Sequence, residues 1–557
     1  MKIAAPLPHA QKLILILAVF VLWLSGPVLA QEPAPAKEPQ HILDYIAKGW
    51  DVLSRAPQEC KTVLDGRNPD NSYLYVPAEV PITEDMKALE TKCKIHVVHL
   101  PRQIQKHGDL ANEKFTPPGL LYLPNAYVVP GGFFNEMYGW DSYFIILGLL
   151  RADRLELARG MVDNFLYEIE HYGAILNANR TYFLSRSQPP FLTSMIMAVH
   201  EANKKKGVDD REWLAKAYPL AVKDYELWTN APHLAGDTGL SRYFDLGEGP
   251  GPEITDGNDS YYRDVAAQLE KHPDWNEGFL VPAGSVKQPA DWPTFKLSLC
   301  PKGAGNCQPR EYVFTQDYYK GDRSDRESGY DITFRFAPFS GKTHHYAAVC
   351  LNSLLYKAET DLAELSTRSG HEGESAKWKQ KANQRHAAMD KYLWDQKAGM
   401  YFDYDFQTKQ RKPYVYATTF FPMWAGIASP QQAKKVAGNL KTLERAGGLA
   451  MSDFESGVQW DLPYGWAPLQ LVAVDGLRRY GFIEDANRLS EAWLSTVVEN
   501  FKRDGTIREK YNMITRSSQA RVTAGYQTNV VGFGWTNGVF LELISKVPAD
   551  MKAKVLK

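Results

Sequence analysis

The stretch LELARGMVDNFLYEIEHYG, residues 155–173, indicates most clearly which kind of fold this chain adopts. Its apolar residues recur every three or four positions, which is the spacing of one face of an α-helix. They are Leu155, Met161, Val162, Phe165, Leu166 and Ile169. Gly173 follows them and is typical of a helix end. The stretch therefore predicts a helix with one face buried in a core.

The same spacing returns along most of the chain after Leu121. It marks residues 213–228, 349–365, 376–394, 431–445, 467–480, 484–501 and 534–546. Pro219 lies inside the first of these segments and predicts a kink there. Alternation typical of a strand is rare; residues 401–406 show it and predict one arm of a hairpin. Because strands do not alternate with helices, a parallel sheet is not expected.

So many helices with so few strands must bury their apolar faces against one another. A closed ring of helix pairs satisfies this need in a long chain, so the predicted fold class is all-α, a barrel of helices. An open solenoid is the alternative, but the sequence has no short repeat of fixed length. Residues 246–325 interrupt the pattern with Gly, Pro, Asp and aromatic residues. We expect this segment to be an irregular insertion on the rim of the active site.

The bulk composition limits the classes of partner. The chain has 557 residues, of which 44% are hydrophobic, and its formal net charge is −1. This is ample for a large core. A balanced charge favours neither a nucleic-acid partner nor an anionic membrane surface.

The N-terminus has the layout of a secretory signal peptide. An apolar run from Leu13 to Leu24 is followed by small residues up to Ala30. We predict cleavage before Gln31 and a periplasmic or secreted protein. A membrane anchor is the alternative, but the run is short for a span, so no stable insertion is expected after cleavage. The predicted organisation is a signal peptide (1–30), a linker with an N-terminal helical extension (31–120) and a catalytic domain (121–557).

The cysteines and histidines give weak signals. Cys300 with Cys307, and Cys60 with Cys93, are candidate disulfides that would leave Cys350 free, although sequence alone does not fix the pairing. No C-x-x-C motif or Cys/His cluster suggests zinc. His344 and His345 are adjacent, so on a helix they would point in different directions. A packing or surface role is expected for them rather than a metal site.

Three stretches combine Trp and Gly with polar or acidic residues at the starts of apolar helices. They are PGGFFNEMYGWDSY (130–143), QWDLPYGWAP (459–468) and GFGWTNG (532–538). An indole covers the apolar face of a sugar, while a carboxylate accepts hydrogen bonds from its hydroxyls. These clusters indicate a carbohydrate site; the alternative is that the Trp residues only fill the core.

Two acids in loops complete the minimum equipment of a glycoside hydrolase. Asp331 ends the sequence RESGYD, and Glu509 lies in REKYN after an Asp-Gly turn. A single acid in a loop is more often just solvated, so these residues do not stand out by themselves. Motifs of other chemistries, such as G-x-S-x-G, H-E-x-x-H and the P-loop, are missing from the sequence.

Together with NANRTYFLSRSQPPF (177–191), these motifs resemble in kind and order those of the trehalase family of inverting glycoside hydrolases. The similarity covers roughly residues 120–545 and is highly specific, since six ordered motifs agree. The resemblance implies an (α/α)6 barrel, no metal or cofactor, and cleavage of α,α-trehalose to two glucose molecules with inversion. A monomer that binds a small sugar is expected.

The resemblance also implies roles for individual residues. Asp331 would be the general acid and Glu509 the general base. The sugar would be contacted by Phe134, Trp140, Asp141, Asn177, Arg186, Gln188, Glu253, Trp460 and Tyr526.

Three positions depart from the family pattern. The family usually has Arg at the positions of Phe133 and Gly251, and a Glu-bearing Gly-rich loop where residues 523–528 stand. Weaker binding of trehalose is then expected, unless other residues compensate. The candidates for compensation are Asn135, Tyr526, Gln527, Arg263, Arg310 and Arg323. The alternative functions are hydrolysis of another α-glucoside on the same barrel and sugar binding without catalysis.

Overall fold

The computed structural model describes residues 41–255, 260–299, 308–525 and 528–557. The segment predicted as a signal peptide and the pair Cys300 and Cys307 lie outside the described residues. Within the described ranges, no helix is both long and apolar enough to cross a bilayer.

The described α-helices vary from one turn to six turns. They are α1 (Ile42–Leu53), α2 (Cys60–Val63), α3 (Glu84–Cys93), α4 (Asp141–Arg151), α5 (Leu155–His171), α6 (Leu192–Lys205), α7 (Arg211–Thr229), α8 (Pro252–Thr255), α9 (Ser260–Lys271), α10 (Gln316–Ser328), α11 (Val349–Arg368), α12 (Ser375–Tyr392), α13 (Phe421–Ala425), α14 (Pro430–Gly438), α15 (Ala467–Arg479), α16 (Ile483–Asp504), α17 (Gly534–Lys546) and α18 (Ala549–Leu556).

The described strands are short. They are β1 (Ser54–Arg55), β2 (Tyr73–Val76), β3 (His96–His99), β4 (Leu120–Leu121), β5 (Tyr127–Val128), β6 (Leu280–Pro282), β7 (Phe295–Leu297), β8 (Arg310–Phe314), β9 (Tyr346–Ala347), β10 (Trp394–Asp395), β11 (Met400–Tyr401), β12 (Tyr404–Asp405), β13 (Gln410–Arg411), β14 (Glu444–Arg445), β15 (Gly448–Leu449), β16 (Tyr464–Trp466) and β17 (Lys510–Asn512).

Six helices form a closed inner ring. In ring order they are α4, α6, α11, α13, α15 and α17, and α17 packs back against α4. An outer layer covers them: α5 packs on α4 and α6, α7 on α6 and α11, α12 on α11, and α16 on α15 and α17. One continuous cluster of buried apolar side chains joins the two layers. The fold is the predicted (α/α)6 barrel.

The ring closes at a tight contact between α4 and α17. A Cβ atom added at Gly148 would lie 2.5 Å from the Cα of Gly538, and one added at Gly538 would clash with the carbonyl oxygen of Phe144. Trp50 of α1 packs over Gly148 from outside. Only glycine allows the two helix backbones to approach this closely.

The periodic segments contain the expected helices, with local differences from prediction. In the segment 431–445, α14 ends at Gly438 and the last two residues form β14. Helix α7 runs through Pro219 without a break, and the kink expected there stays a prediction. Residues 401–406 do not form one arm of a hairpin, because they are divided between two strands. Strand β11 belongs to a two-stranded sheet, and β12 belongs to a three-stranded sheet. Tyr401 pairs with Trp394 in β10, whereas Tyr404 pairs with Arg411 in β13. The alternating segment is therefore paired with two different strands.

The insertion at 246–325 is more regular than expected. It contains α8, α9 and a three-stranded antiparallel sheet in the order β6-β8-β7. A separate apolar cluster, with Tyr262, Leu269 and Phe314 among its members, packs helix and sheet together. Each strand has only three to five residues, and strand signals this short escape a pattern search.

An N-terminal extension packs beside the barrel. Strands β3, β2 and β4 form a parallel sheet, and a disulfide joins Cys60 to Cys93 below it. Cys350 is a free, buried cysteine. Helix α1 lies against α17. The division between extension and catalytic domain at residue 121 stays a prediction.

The seam between α4 and α17 generates a stability prediction. Gly538→Ala should lower the free energy of unfolding by about 1–3 kcal/mol, because the added methyl meets backbone rather than a movable side chain. Gly438→Ala in α14 is the matched control, since nothing lies within 4 Å of its added Cβ. That variant should be neutral or slightly stabilised. Chemical denaturation measures both, and equal stability of the two variants would contradict the tight seam.

Candidate active site

One cavity of about 640 Å³ opens beside the inner ring and has the size of a small-molecule site. The structure brings together in its wall all the predicted site residues that it describes. They are Phe134, Trp140, Asp141, Asn177, Arg186, Gln188, Glu253, Asp331, Trp460 and Glu509. Tyr526 lies outside the described residues. The shared location is observed, whereas the role of each residue stays a prediction.

Helix α10 delivers Asp331 to the cavity. The helix ends at Gly329, whose positive φ of 77° closes the last turn directly against the ring of Trp140. Two residues later the Asp331 side chain faces the cavity and is 34% exposed. Removal from bulk water raises its pKa to about 6, against the opposing effect of the Arg326 guanidinium, whose Nη1 lies 3.7 Å from Oδ2. A carboxyl with this pKa carries a proton over part of the physiological pH range.

Glu509 lies more deeply, just before strand β17, and is 4% exposed. Its backbone N–H donates to the carbonyl of Val530 over 3.0 Å. Its own carbonyl accepts hydrogen bonds from Trp535 Nε1 and Thr536 Oγ1 in the GFGWTNG motif. Lys510 Nζ donates to the carboxylate Oε2 over 2.9 Å. Backbone and side chain are both held, which suits a group that must act at a fixed point.

The segment 459–466, the second Trp-rich motif, connects the two acids. At one end Gln459 Nε2 donates to the carbonyl of Asp331 over 2.5 Å, and the Trp460 N–H donates to the carbonyl of Ile332. At the other end β16 pairs antiparallel with β17, so that Trp466 lies opposite Lys510. The loop that carries Asp331 and the strand that follows Glu509 are therefore attached to the same short segment.

Asp461, in the middle of that segment, positions the acid loop. Its buried carboxylate accepts from Thr333 Oγ1 and the Phe334 N–H, both over 2.8 Å, and from Ser456 Oγ over 2.6 Å. Burial raises the pKa of Asp461 to about 6 in spite of these donors. Asp461 was not among the predicted site residues, although it lies within the second Trp-rich motif.

Aromatic rings form the apolar wall of the cavity. The rings of Trp460 and Trp466 are stacked 3.9 Å apart, and Trp140 and Trp535 pack around them at 5.6–6.3 Å. Burial, followed by the nearby charges of Glu509 and Asp331, raises the pKa of Asp141 well above its usual range. An apolar wall interrupted by carboxyls suits a ring with C–H faces and equatorial hydroxyls.

A second part of the cavity wall is charged. Arg186 donates from Nε to Asp245 over 2.7 Å and from Nη1 to Glu253 over 2.6 Å. Arg326 Nε lies 3.6 Å from the same Glu253 carboxylate. Phe133 is 75% exposed at the rim of the cavity.

The positively charged side chains of this wall are not the ones predicted from the sequence as replacements for the missing arginines. Asn135, Arg263, Arg310 and Arg323 do not belong to the described lining, and Gln527 lies outside the described residues. Arg323 is turned towards Ser185 and Asp245 instead. Arg67, Arg326 and Arg508 line the cavity and were missed. Arg67 comes from a segment with no sugar-site motif, whereas Arg326 and Arg508 stand in RESGYD and REKYN, in which only the acids were selected.

The two adjacent histidines do not point apart. Nε2 of His344 lies 3.0 Å and Nε2 of His345 lies 3.2 Å from the same Asp317 oxygen. The expectation assumed an α-helix, whereas these residues lie in a 3-10 turn. Among the described residues this is the one group of three metal-ligand side chains that lie close together. None of the three lines the cavity.

Comparisons with known proteins point to the same family as the sequence motifs. The trehalase family model matches residues 51–288 and 312–548. Cytosolic neutral trehalase of Saccharomyces cerevisiae is 35% identical over 533 residues, which are 86% of this chain and 67% of that protein. Cytosolic neutral trehalase of Beauveria bassiana is 38% identical, over 94% of this chain and 76% of that protein.

These relatives contradict two predictions from the N-terminus. They are cytosolic enzymes by name and point to a cytosolic location, so the predicted signal peptide and the periplasmic or secreted location are corrected. The physical reason is that a short apolar run followed by small residues is a pattern of composition. Such a pattern is shared by apolar segments that are not cleaved or exported.

The solved structure of neutral trehalase Nth1 from Saccharomyces cerevisiae has the same architecture. It matches with a TM-score of 0.74 and 31% identity over 93% of this chain and 96% of that one. Family model, relatives and fold agree over almost the whole described chain, and the chain therefore belongs to the trehalase family.

Proposed function

We propose that this chain hydrolyses α,α-trehalose to two glucose molecules with inversion, with Asp331 as general acid and Glu509 as general base. The observation that carries the assignment of roles is the contrast between the two carboxyls in one cavity. Asp331 has a pKa raised to about 6, whereas Glu509 is buried beside the Lys510 ammonium group. Two carboxyls in different environments are the usual division into acid and base.

The chemistry follows from this division. Asp331 donates its proton to the oxygen that joins the two sugars, so that the leaving sugar departs as a neutral alcohol. Glu509 removes a proton from a water molecule, which attacks the anomeric carbon from the opposite face. In inverting glycosidases the two carboxyls stand roughly 6.5–9.5 Å apart to leave room for this water. The stacked tryptophans exclude bulk water and cover the apolar faces of the sugar.

The remaining wall residues fit the substrate of the family. Gln188 and Asn177 are oriented by the backbone, since Gln188 Oε1 accepts from the Trp140 N–H and Asn177 Nδ2 donates to the Arg326 carbonyl.

The relatives do not favour the alternatives raised by the sequence. Hydrolysis of another α-glucoside was suggested by the arginines missing at Phe133 and Gly251, but four arginines line the cavity. A protein that only binds a sugar does not need a carboxyl with a raised pKa, such as that of Asp331.

The catalytic pair can be tested by removing each charge in turn. Asp331→Asn and Glu509→Gln should each lower kcat for trehalose by at least about 100-fold, because each removes one proton transfer from the transition state. Glucose release by the purified variants measures this. Asp550→Asn, an exposed carboxyl in the first turn of α18, is the control and should keep full activity. Near-normal turnover in either site variant would remove that residue from the mechanism.

The pKa of Asp331 predicts how activity depends on pH. The general acid must be protonated, so kcat/KM should fall as the pH rises through about 6. Arg326 stabilises the ionised form, so Arg326→Gln should raise the pKa of Asp331 and move this limb of the profile to higher pH. Initial rates over a range of pH give both profiles.

Arg326→Lys is the matched control for this experiment, because it keeps a positive charge near the carboxyl. Its profile should stay close to that of the parent chain. A limb that moves to lower pH in Arg326→Gln, or moves equally in both variants, would show that Arg326 does not act on the acid through its charge.

A further inference from the structure

Three of the four arginines that line the cavity are bound by the protein itself. Arg186 is held by Asp245 and Glu253. Arg326 pairs with Asp322, four residues earlier on the same helix, and approaches Glu253. Arg508 Nη1 donates to the carbonyl of Asn529 over 3.0 Å. The guanidinium groups of these three arginines are thus bound to other groups of the cavity wall.

Arg67 is the exception among these four. Its guanidinium makes no hydrogen bond or ion pair with any residue that the structure describes. It lies over the ring of Tyr182, 5.5 Å from the ring centroid. The side chain is exposed and lines the cavity, so its five N–H donors are available to a molecule that enters.

The backbone that carries Arg67 is nevertheless fixed. Its N–H donates to Asp65 Oδ1 over 2.9 Å. Asp65 is buried and paired with Arg180, which also donates to Glu136 in the first Trp-rich motif over 3.0 Å. This buried triad attaches the extension to the cavity wall. An arginine fixed at its backbone and stacked on a ring loses little further freedom on binding.

The position of Arg67 indicates which part of a substrate it meets. Glu509 is buried at the inner end of the site, while Asp331 is one-third exposed and lies nearer the opening. The sugar that leaves is the one that keeps the bridging oxygen, with the proton of the acid on it, after the bond from this oxygen to the attacked anomeric carbon has broken. It therefore lies on the outer side of Asp331, where the exposed Arg67 and Phe133 form the rim.

We propose that Arg67, supplied by the N-terminal extension, determines specificity for the second sugar by donating hydrogen bonds to its hydroxyl groups. This inference rests on the proposed hydrolysis of trehalose. Arg67 is a positioning residue for the leaving group, since the geometry places it at the rim rather than at the bond that breaks. The fork of donors suits two neighbouring hydroxyls, and the flat face of Phe133 is available to the apolar side of the same sugar.

The test compares two substrates that share the first sugar. Trehalose carries a second glucose, whereas α-D-glucopyranosyl fluoride carries only fluoride in its place. Arg67→Ala should lower kcat/KM for trehalose by about 10- to 100-fold, mainly through a higher KM, which is the loss expected for hydrogen bonds to a charged group. The same variant should hydrolyse the fluoride as fast as the parent chain.

Two further variants make the result specific. Arg67→Lys keeps the charge but not the fork, and should recover only part of the loss on trehalose. Arg102→Ala removes an exposed arginine of the same extension that does not line the cavity, and should behave like the parent chain on both substrates. Thermal unfolding checks that each variant is folded.

The possible outcomes separate this inference from the proposed function. If Arg67→Ala cleaves trehalose like the parent chain, or loses activity equally on both substrates, Arg67 does not recognise the second sugar and hydrolysis of trehalose stands. If the parent chain cleaves the fluoride but releases no glucose from trehalose, the proposed function fails and this inference fails with it.

Discussion

The site depends on one short segment, residues 459–466, which is bonded to the loop of the acid at one end and to the strand of the base at the other. Asp331 and Glu509 are far apart in sequence and lie on different elements. The Gln459 side chain donates to the carbonyl of Asp331, and the strand that begins at Lys510, directly after Glu509, pairs with β16. Asp461 anchors its middle through three donors. The loop of Asp331 and the strand that follows Glu509 are thus held to one short segment, and the barrel supports that segment.

Around this segment, burial and charge act on the acid in opposite directions. Removal of Asp331 from bulk water favours its protonated form, while the guanidinium of Arg326 favours the carboxylate. Arg326 is itself held by Asp322 and Glu253, so its effect on Asp331 is limited by its other partners. The proton affinity of the acid is therefore a property of the whole charged wall, and residues that never contact a sugar contribute to it.

Sequence reasoning reached the fold and the contents of the cavity, and it failed where the signal was short or indirect. Helical periodicity over long segments such as 155–169 placed the helices well, because a buried face imposes its pattern over many turns. The small sheet of the insertion was missed, since strands of three to five residues leave hardly any pattern. Arg67 could not be found, because it enters the cavity from an extension whose sequence shows no sugar motif. The export prediction was wrong, because the composition of an N-terminal segment does not by itself determine the cellular location of a protein.

The seam between α4 and α17 also has a consequence for how the chain is made. Helix α4 lies near the start of the ring and α17 is its last member, so the two partners in the tightest contact are separated by nearly 400 residues of synthesis. Until the ribosome has released α17, the ring stays open and α4 lacks its glycine-matched neighbour. The ring of helices can therefore close only after nearly the whole chain has been synthesised, and the earlier helices wait for their last partner.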